Sequence, residues 1–169
     1  MQSIILMTNK KILYLALNCK SFIVIDNMKE YVLKNIDETR AWAVEFAKTL
    51  AAPCVVALHG DLGMGKSEIA RAIIQTLCGA DTVVPSPTFT LVQAYEGRSA
   101  TSEGRSISHF DLYRITDVSE LEEIGLSHAI ANDITLIEWP EIANDFLPAN
   151  TIHIYLEEFD GGRKLVINR

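Results

Sequence analysis

Cys54-Val55-Val56-Ala57-Leu58-His59-Gly60-Asp61-Leu62-Gly63-Met64-Gly65-Lys66-Ser67-Glu68-Ile69-Ala70-Arg71 is the stretch that decides the fold. Its first apolar run, residues 54–58, reads as a buried strand. Residues 60–67 then match the phosphate-binding pattern G-x-x-x-x-G-K-[ST] at every defined position, and residues 68–77 carry apolar groups at helical spacing. In that order the parts have a mechanism: glycines at positive φ let successive N–H groups converge on phosphate at the positive end of the following helix. The bare pattern arises by chance on the order of once in a hundred chains of this length. A plain glycine-rich turn needs neither the strand before it nor the helix after it. Gly63 and Gly65 supply the wrap. Lys66, expected to face solvent until nucleotide arrives, reaches the β- and γ-phosphates as a point charge, and the Ser67 hydroxyl fills one position of a bridging Mg2+ octahedron.

Outward from this loop, strand and helix patterns alternate. Tyr31-Val32-Leu33 predicts a strand, residues 37–50 a helix opened by Asp37 and Glu38, and Gly79 the end of the helix after the loop. Pro85-Ser86-Pro87 predicts a stiff extended segment leading into a strand over residues 88–95, and residues 96–106 a polar, mobile loop. Further strands are expected over 107–112 and 134–138, a helix over 118–124, and a closing antiparallel hairpin, 151–159 with 164–168, around Asp160-Gly161-Gly162. The alternation predicts a phosphate-loop NTPase-like α/β domain over residues 28–169. Its architecture is three-layer αβα, with a mostly parallel central sheet and a C-terminal antiparallel hairpin.

The 169 residues suffice for one well-buried core, and 49% of them are hydrophobic. A formal net charge of −7 argues against a surface that grips nucleic acid directly, so any RNA connection is expected to run through a partner, with no DNA contact. Cys19, Cys54 and Cys78 show no metal-like spacing and read as reduced thiols, which fits the cytoplasm. Residues 1–27 read as an N-terminal extension. Lys10-Lys11 followed by Ile12-Leu13-Tyr14-Leu15-Ala16-Leu17 has the outline of a secretory signal. The apolar run is too short for that role, Asn18 precedes Cys19, and the run is too interrupted to span a bilayer. An additional strand, a lineage-specific extension or an initiation site at Met28 would each account for it, and the last two are preferred.

A phosphate-loop enzyme needs acids at the C-terminal edge of neighbouring strands. Asp111 ends one expected strand and Glu138 ends another. Taken alone, each is as readily a helix cap or a surface acid. Ser86-Pro87-Thr88-Phe89-Thr90-Leu91-Val92, His109-Phe110-Asp111-Leu112-Tyr113-Arg114, Glu120-Leu121-Glu122-Glu123-Ile124-Gly125 and Ile137-Glu138-Trp139-Pro140-Glu141 follow the phosphate loop in order. With it they resemble the bacterial TsaE (YjeE) ATPases from about residue 30 to the end. The resemblance implies an ATPase supporting formation of N6-threonylcarbamoyladenosine at position 37 of tRNAs that read codons beginning with A, working with the TsaD and TsaB proteins. It implies ATP held by the loop residues Gly63, Met64, Gly65, Lys66, Ser67 and Glu68, with Lys66 and Asp111 catalytic and Asp111 facing the γ-phosphate and its water. Ser67 and Glu138 become the Mg2+ ligands, Glu38 and Arg163 further nucleotide contacts, and Ser86-Pro87-Thr88 a switch-like segment that senses the γ-phosphate.

Trp139 and His109 lie inside these motifs: Trp139 is placed to line the site, although an aromatic beside Pro140 is more often core, and the histidine reads as a strand residue rather than a base. Two departures stand out. Family members usually carry two threonines after the lysine, whereas this chain has Ser67-Glu68, whose carboxylate favours the helix N-terminus but repels phosphate. The second is the N-terminal extension. The rival reading is a small-molecule kinase with a lid carrying Arg98 and Arg105; a GTPase is disfavoured, since no N-K-x-D segment is present. A nucleotide-gated binding module with slow hydrolysis overlaps with the ATPase reading. Arg114 and Arg163 are the arginines considered for the γ-phosphate.

Overall fold

The computed structural model describes residues 6–8, 11–13, 28–98, 104 and 106–169. Most of the N-terminal extension, Cys19 and Arg105 lie outside the described residues, as does most of the loop expected over 96–106. The extension's described residues form β1 (Leu6–Thr8) and β2 (Lys11–Leu13), an antiparallel pair in a sheet of its own. The main domain follows as β3 (Lys29–Leu33), α1 (Ile36–Ala47), β4 (Cys54–His59), α2 (Lys66–Cys78), β5 (Val92–Glu96) and β6 (Ser106–Asp111). After these come α3 (Ser119–Glu123), α4 (Leu126–Asn132), β7 (Ile134–Glu138), a 3-10 helix (Pro140–Phe146), β8 (Ile152–Phe159) and β9 (Gly162–Asn168).

One sheet of seven strands runs in the order β3-β9-β8-β4-β7-β6-β5. The central β8, β4, β7 and β6 are parallel, while β5 and the β8–β9–β3 meander are antiparallel. The expected mostly parallel sheet and closing hairpin are both present. β4 and β7 are buried on both faces, so neither alternates: β4 is an unbroken apolar run through Leu58, and in β7 Ile134, Leu136 and Ile137 are apolar around a buried Thr135. On one face Ala43 and Phe46 of α1 and Ile69, Ile73 and Leu77 of α2 pack on Val56, Leu58, Leu136 and Ile154. On the other face Leu121, Leu126, Ala129 and Ala143 cover Val55, Phe110 and Ile137. Each large aliphatic side chain so buried stabilises the domain by about 1.5–3 kcal/mol relative to exposure. Cys54 and Cys78 are free thiols whose pKa values burial pushes up. Among the described residues no helix is long and apolar enough to cross a membrane.

Two expectations need correction. Residues 88–91 form a turn instead of the start of a strand, and β5 begins only at Val92. The β-propensity of Thr-Phe-Thr-Leu is overridden by specific bonds: Leu91 N–H closes onto Pro87 O at 2.7 Å with Leu91 at φ 64, and the Thr88 hydroxyl is drawn inward to Asp111. The outer ends of the polar loop are paired as well, since Glu96 and Ser106 form the last rung of the β5–β6 ladder. Helix α4 and the 3-10 helix complete the second helical layer without having been anticipated. Each is seven residues long, too short for a periodic signature.

Candidate nucleotide site

Three strands deliver the site. In the parallel ladders Leu58 pairs with Glu138 and Glu138 with Asp111, so the exit of β4 into the loop and both acids lie on one rung. The loop turns at Gly60, Gly63 and Gly65, with φ values of 138, 83 and 98. Gly60 is demanded by space as well: a Cβ there would sit 2.6 Å from the Leu156 carbonyl oxygen. Gly65 begins α2 with no side-chain cap, a start that leaves first-turn N–H groups to an anion. The cleft so formed has a volume of about 360 Å3, and its lining includes Lys66, Ser67, Asp111, Glu138, Trp139 and Arg163.

Lys66 does not face solvent, contrary to expectation. It is 4% exposed, and its Nζ donates to the carbonyls of Gly60 and Asp61 while lying 3.8 Å above the centre of the Trp139 ring. Those carbonyls and the ring face are all suited to a cation. Burial pushes the Lys66 pKa down, and Glu138 and Asp111 oppose the shift. Trp139 lines the cleft and belongs to neither core cluster. Its backbone sits at φ 55, a left-handed conformation unusual for a bulky side chain, while the following Pro140 is buried.

Each carboxylate oxygen of the two acids has a partner. Glu138 Oε2 accepts from the Ser67 hydroxyl at 2.8 Å, and Oε1 lies 2.9 Å from His109 Nε2. Asp111 Oδ1 accepts from the Tyr113 N–H at 3.1 Å and Oδ2 from the Thr88 hydroxyl at 2.7 Å. Since Thr88 gives its proton to Asp111, the Ser86 hydroxyl, 2.8 Å away, is the donor to Thr88. A chain of hydroxyls thus connects the exposed Ser86 to a buried carboxylate.

Glu68 is compensated. Its oxygens accept from Arg40 Nε at 3.0 Å and from an Arg71 guanidinium nitrogen at 2.7 Å. Burial raises the Glu68 pKa, but the two arginines outweigh it and hold the carboxyl below its ordinary range. The trio carries net positive charge at the cleft, which removes the reason to expect repulsion of phosphate. Arg163, in β9, crosses the loop, its Nε 3.3 Å from where a Gly65 Cβ would lie. Two other candidates fall outside the lining. Met64 donates its N–H to Asp61 O and packs on the core beneath the loop. Glu38 donates its N–H to the Oδ1 of the N-cap Asn35, and its carboxylate accepts from Lys34 N–H, two bonds that hold the start of α1; Ile36 and Thr39 line the cleft in its place.

The remaining arginines are elsewhere. Arg114 lies over the exposed Phe89 ring at 5.4 Å and is not in the lining. Arg98 is tied to Leu77 O and faces Asp81, at the end of α2 opposite the phosphate loop. Thirteen helical residues span roughly 20 Å, so Arg98 cannot close over the loop as a kinase lid would. The bond from His109 to Glu138 and the approach of Arg40 and Arg71 to Glu68 were not anticipated. The i, i+2 spacing of His109 and Asp111 on one strand face was the available signal for the first.

The family described as threonylcarbamoyl adenosine biosynthesis protein TsaE matches residues 33–165. A tRNA threonylcarbamoyladenosine biosynthesis protein TsaE from Rickettsia bellii is 40% identical over 134 residues, 79% of this chain and 90% of that protein. One of the same description from Haemophilus influenzae is 39% identical over 112 residues, 66% of this chain and 67% of its own length. Among solved structures, Bacillus subtilis YdiB superposes with a TM-score of 0.65 at 24% identity, covering 83% of this chain and 84% of that one, a likeness of fold.

Proposed function

The chain belongs to the TsaE family of threonylcarbamoyladenosine biosynthesis proteins, and on that premise we propose that it is a Mg2+-dependent ATPase. It acts in the cytoplasm with TsaD and TsaB in forming N6-threonylcarbamoyladenosine at position 37 of tRNAs that read codons beginning with A. The observation that carries the reading is the single rung that sets Asp111 and Glu138 beside the exit of β4 into the phosphate loop.

The donor set fits Mg2+. Ser67 Oγ and Glu138 Oε2 are hard oxygens 2.8 Å apart at the start of α2. Two such oxygens suit an ion that takes one or two protein ligands and completes its shell with water and phosphate. Bound there, it would neutralise charge on the β- and γ-phosphate oxygens. Lys66 leaves the Gly60 and Asp61 carbonyls for the phosphates, and the first-turn amides of α2 orient the chain of phosphates. Asp111, fixed by Tyr113 and Thr88, accepts a hydrogen bond from the attacking water, and Thr88 reports γ-phosphate loss to the exposed Phe89 turn. Arg163 covers the phosphates from β9.

With a net charge of −7, the protein reaches tRNA through its partners and not by itself. The test is ATP hydrolysis by the isolated protein and with TsaD and TsaB added, together with repeated rounds of tRNA modification. Slow hydrolysis alone, a changed rate with partners, and loss of multi-turnover modification with Lys66→Ala are expected. Full multi-turnover modification by the variant overturns the coupling.

A further inference from the structure

Glu138 is 2% exposed, and each of its oxygens has a different holder. Oε2 accepts from Ser67 at the cleft, and Oε1 meets His109 Nε2 at 2.9 Å. An ionised carboxylate only accepts, so Nε2 carries the proton and donates it. His109 is fully buried and lines none of the cleft, and its second nitrogen, Nδ1, has no hydrogen-bond partner among the described residues. Leaving a buried polar atom unmatched is unfavourable, and an apolar side chain at this position would avoid it. The bond to Glu138 is therefore what the imidazole contributes. Its placement follows from the sheet: His109 and Asp111 share a face of β6, and the register sets His109 opposite Leu136, two residues before Glu138 on β7.

We propose that His109 is a positioning residue for the metal-binding carboxylate. By occupying Oε1 it leaves Oε2, beside the Ser67 hydroxyl, as the single oxygen presented to the cleft. A monodentate carboxylate suits the near-octahedral demand of Mg2+, whereas a freely turning one would offer both oxygens or neither. Donors of this kind behind a metal ligand are typically worth about 10–100-fold in metal affinity. The inference rests on the reading of Ser67 and Glu138 as Mg2+ ligands.

The test is calorimetric titration of a non-hydrolysable ATP analogue into the full-length parent, His109→Leu and His109→Gln, in EDTA and across a Mg2+ series. The EDTA affinities should agree within about twofold, because the loop amides and Lys66 are untouched. The Mg2+ concentration for half-maximal effect should rise about 10–100-fold in His109→Leu and recover in large part in His109→Gln, whose amide keeps a donor for Oε1. An unchanged Mg2+ requirement in His109→Leu overturns the inference and leaves the metal site standing. A joint fall of affinity in EDTA and Mg2+ also overturns it, since that is the signature of a structural role. A parent that binds the analogue equally well in EDTA and Mg2+ overturns the metal site and the inference with it. Should His109→Leu fail to fold, His109→Met, also without a donor, is read by the same criteria.

Discussion

Replacing Glu68 with Gln should make the protein less stable and a better nucleotide binder at once. The carboxylate side chain is 17% exposed between arginines that are 49% and 33% exposed, so each pair counts as a partly screened surface ion pair. Such pairs are worth about 0.2–1 kcal/mol each, and an acid in the first turn of a helix adds about 0.3–1 kcal/mol. The neutral amide keeps part of the hydrogen bonding, which puts the loss at about 1–2 kcal/mol. For a domain of this size that lowers the melting temperature by roughly 2–8 °C. The folded-state carboxyl titrates below its ordinary value of 4.5. Its contribution is therefore complete above that value and is lost as the pH falls through the lower folded-state value, so the gap between parent and variant should close in acid. Arg71 lines the cleft, and without its acidic partner it offers an uncompensated charge to phosphate. Calorimetry should find ATP bound about 2–5-fold more tightly at low salt, with the gain shrinking as ionic strength rises. A variant that melts at the parent temperature, or binds ATP more weakly, refutes the assignment of Glu68 as a compensated acid.

Lys66→Ala should abolish most ATP affinity in the same titration while changing the melting temperature little, because the lysine bonds only to loop carbonyls and one ring face. Asp111→Asn should slow hydrolysis in a phosphate-release assay with modest loss of binding, and Glu138→Gln should raise the Mg2+ requirement; parent rates and parent Mg2+ dependence in both would reject these roles. Deleting residues 1–27 should leave ATP affinity and thermal stability nearly unchanged, since the seven-stranded sheet begins at Lys29. A large drop in melting temperature would show that the extension belongs to the core.

What could be read without coordinates was local in the chain. The phosphate loop is eight consecutive residues, and the strand before it and the helix after it have patterns complete within themselves. The strand-terminal positions of Asp111 and Glu138 were legible for the same reason. Their common rung was not, because register between β6 and β7 is set by packing of residues far apart in sequence. The same applies to Arg40, which reaches Glu68 across 28 positions, and to His109, which reaches Glu138 across 29. The burial of Lys66 has no local sign, because a lysine in a glycine-rich loop suggests exposure and the ring over it comes from Trp139, 73 positions on, with its left-handed backbone. Residues 88–91 were misread because their strand-like composition carries no sign of the tertiary hydroxyl bond that turns them inward.

Leu58, Glu138 and Asp111 stand on one rung of buried parallel strands, so fraying at a chain end releases neither acid. Amides inside β4 and β7 are expected among the slowest of the domain to exchange, whereas the Asp111 N–H is bonded to Leu91 O in the neighbouring turn. Thr88, which completes the bonding of Asp111, belongs to a turn whose neighbour Phe89 is 86% exposed. The two halves of the site therefore differ in support: one is held by the buried sheet, and the other by a turn at the surface whose inward anchor is the Thr88–Asp111 bond. On the ATPase reading proposed above, hydrolysis of a bound nucleotide would change charge at the seam between them, so that the strand-borne half would fix the chemistry and the turn would carry the outcome to the surface.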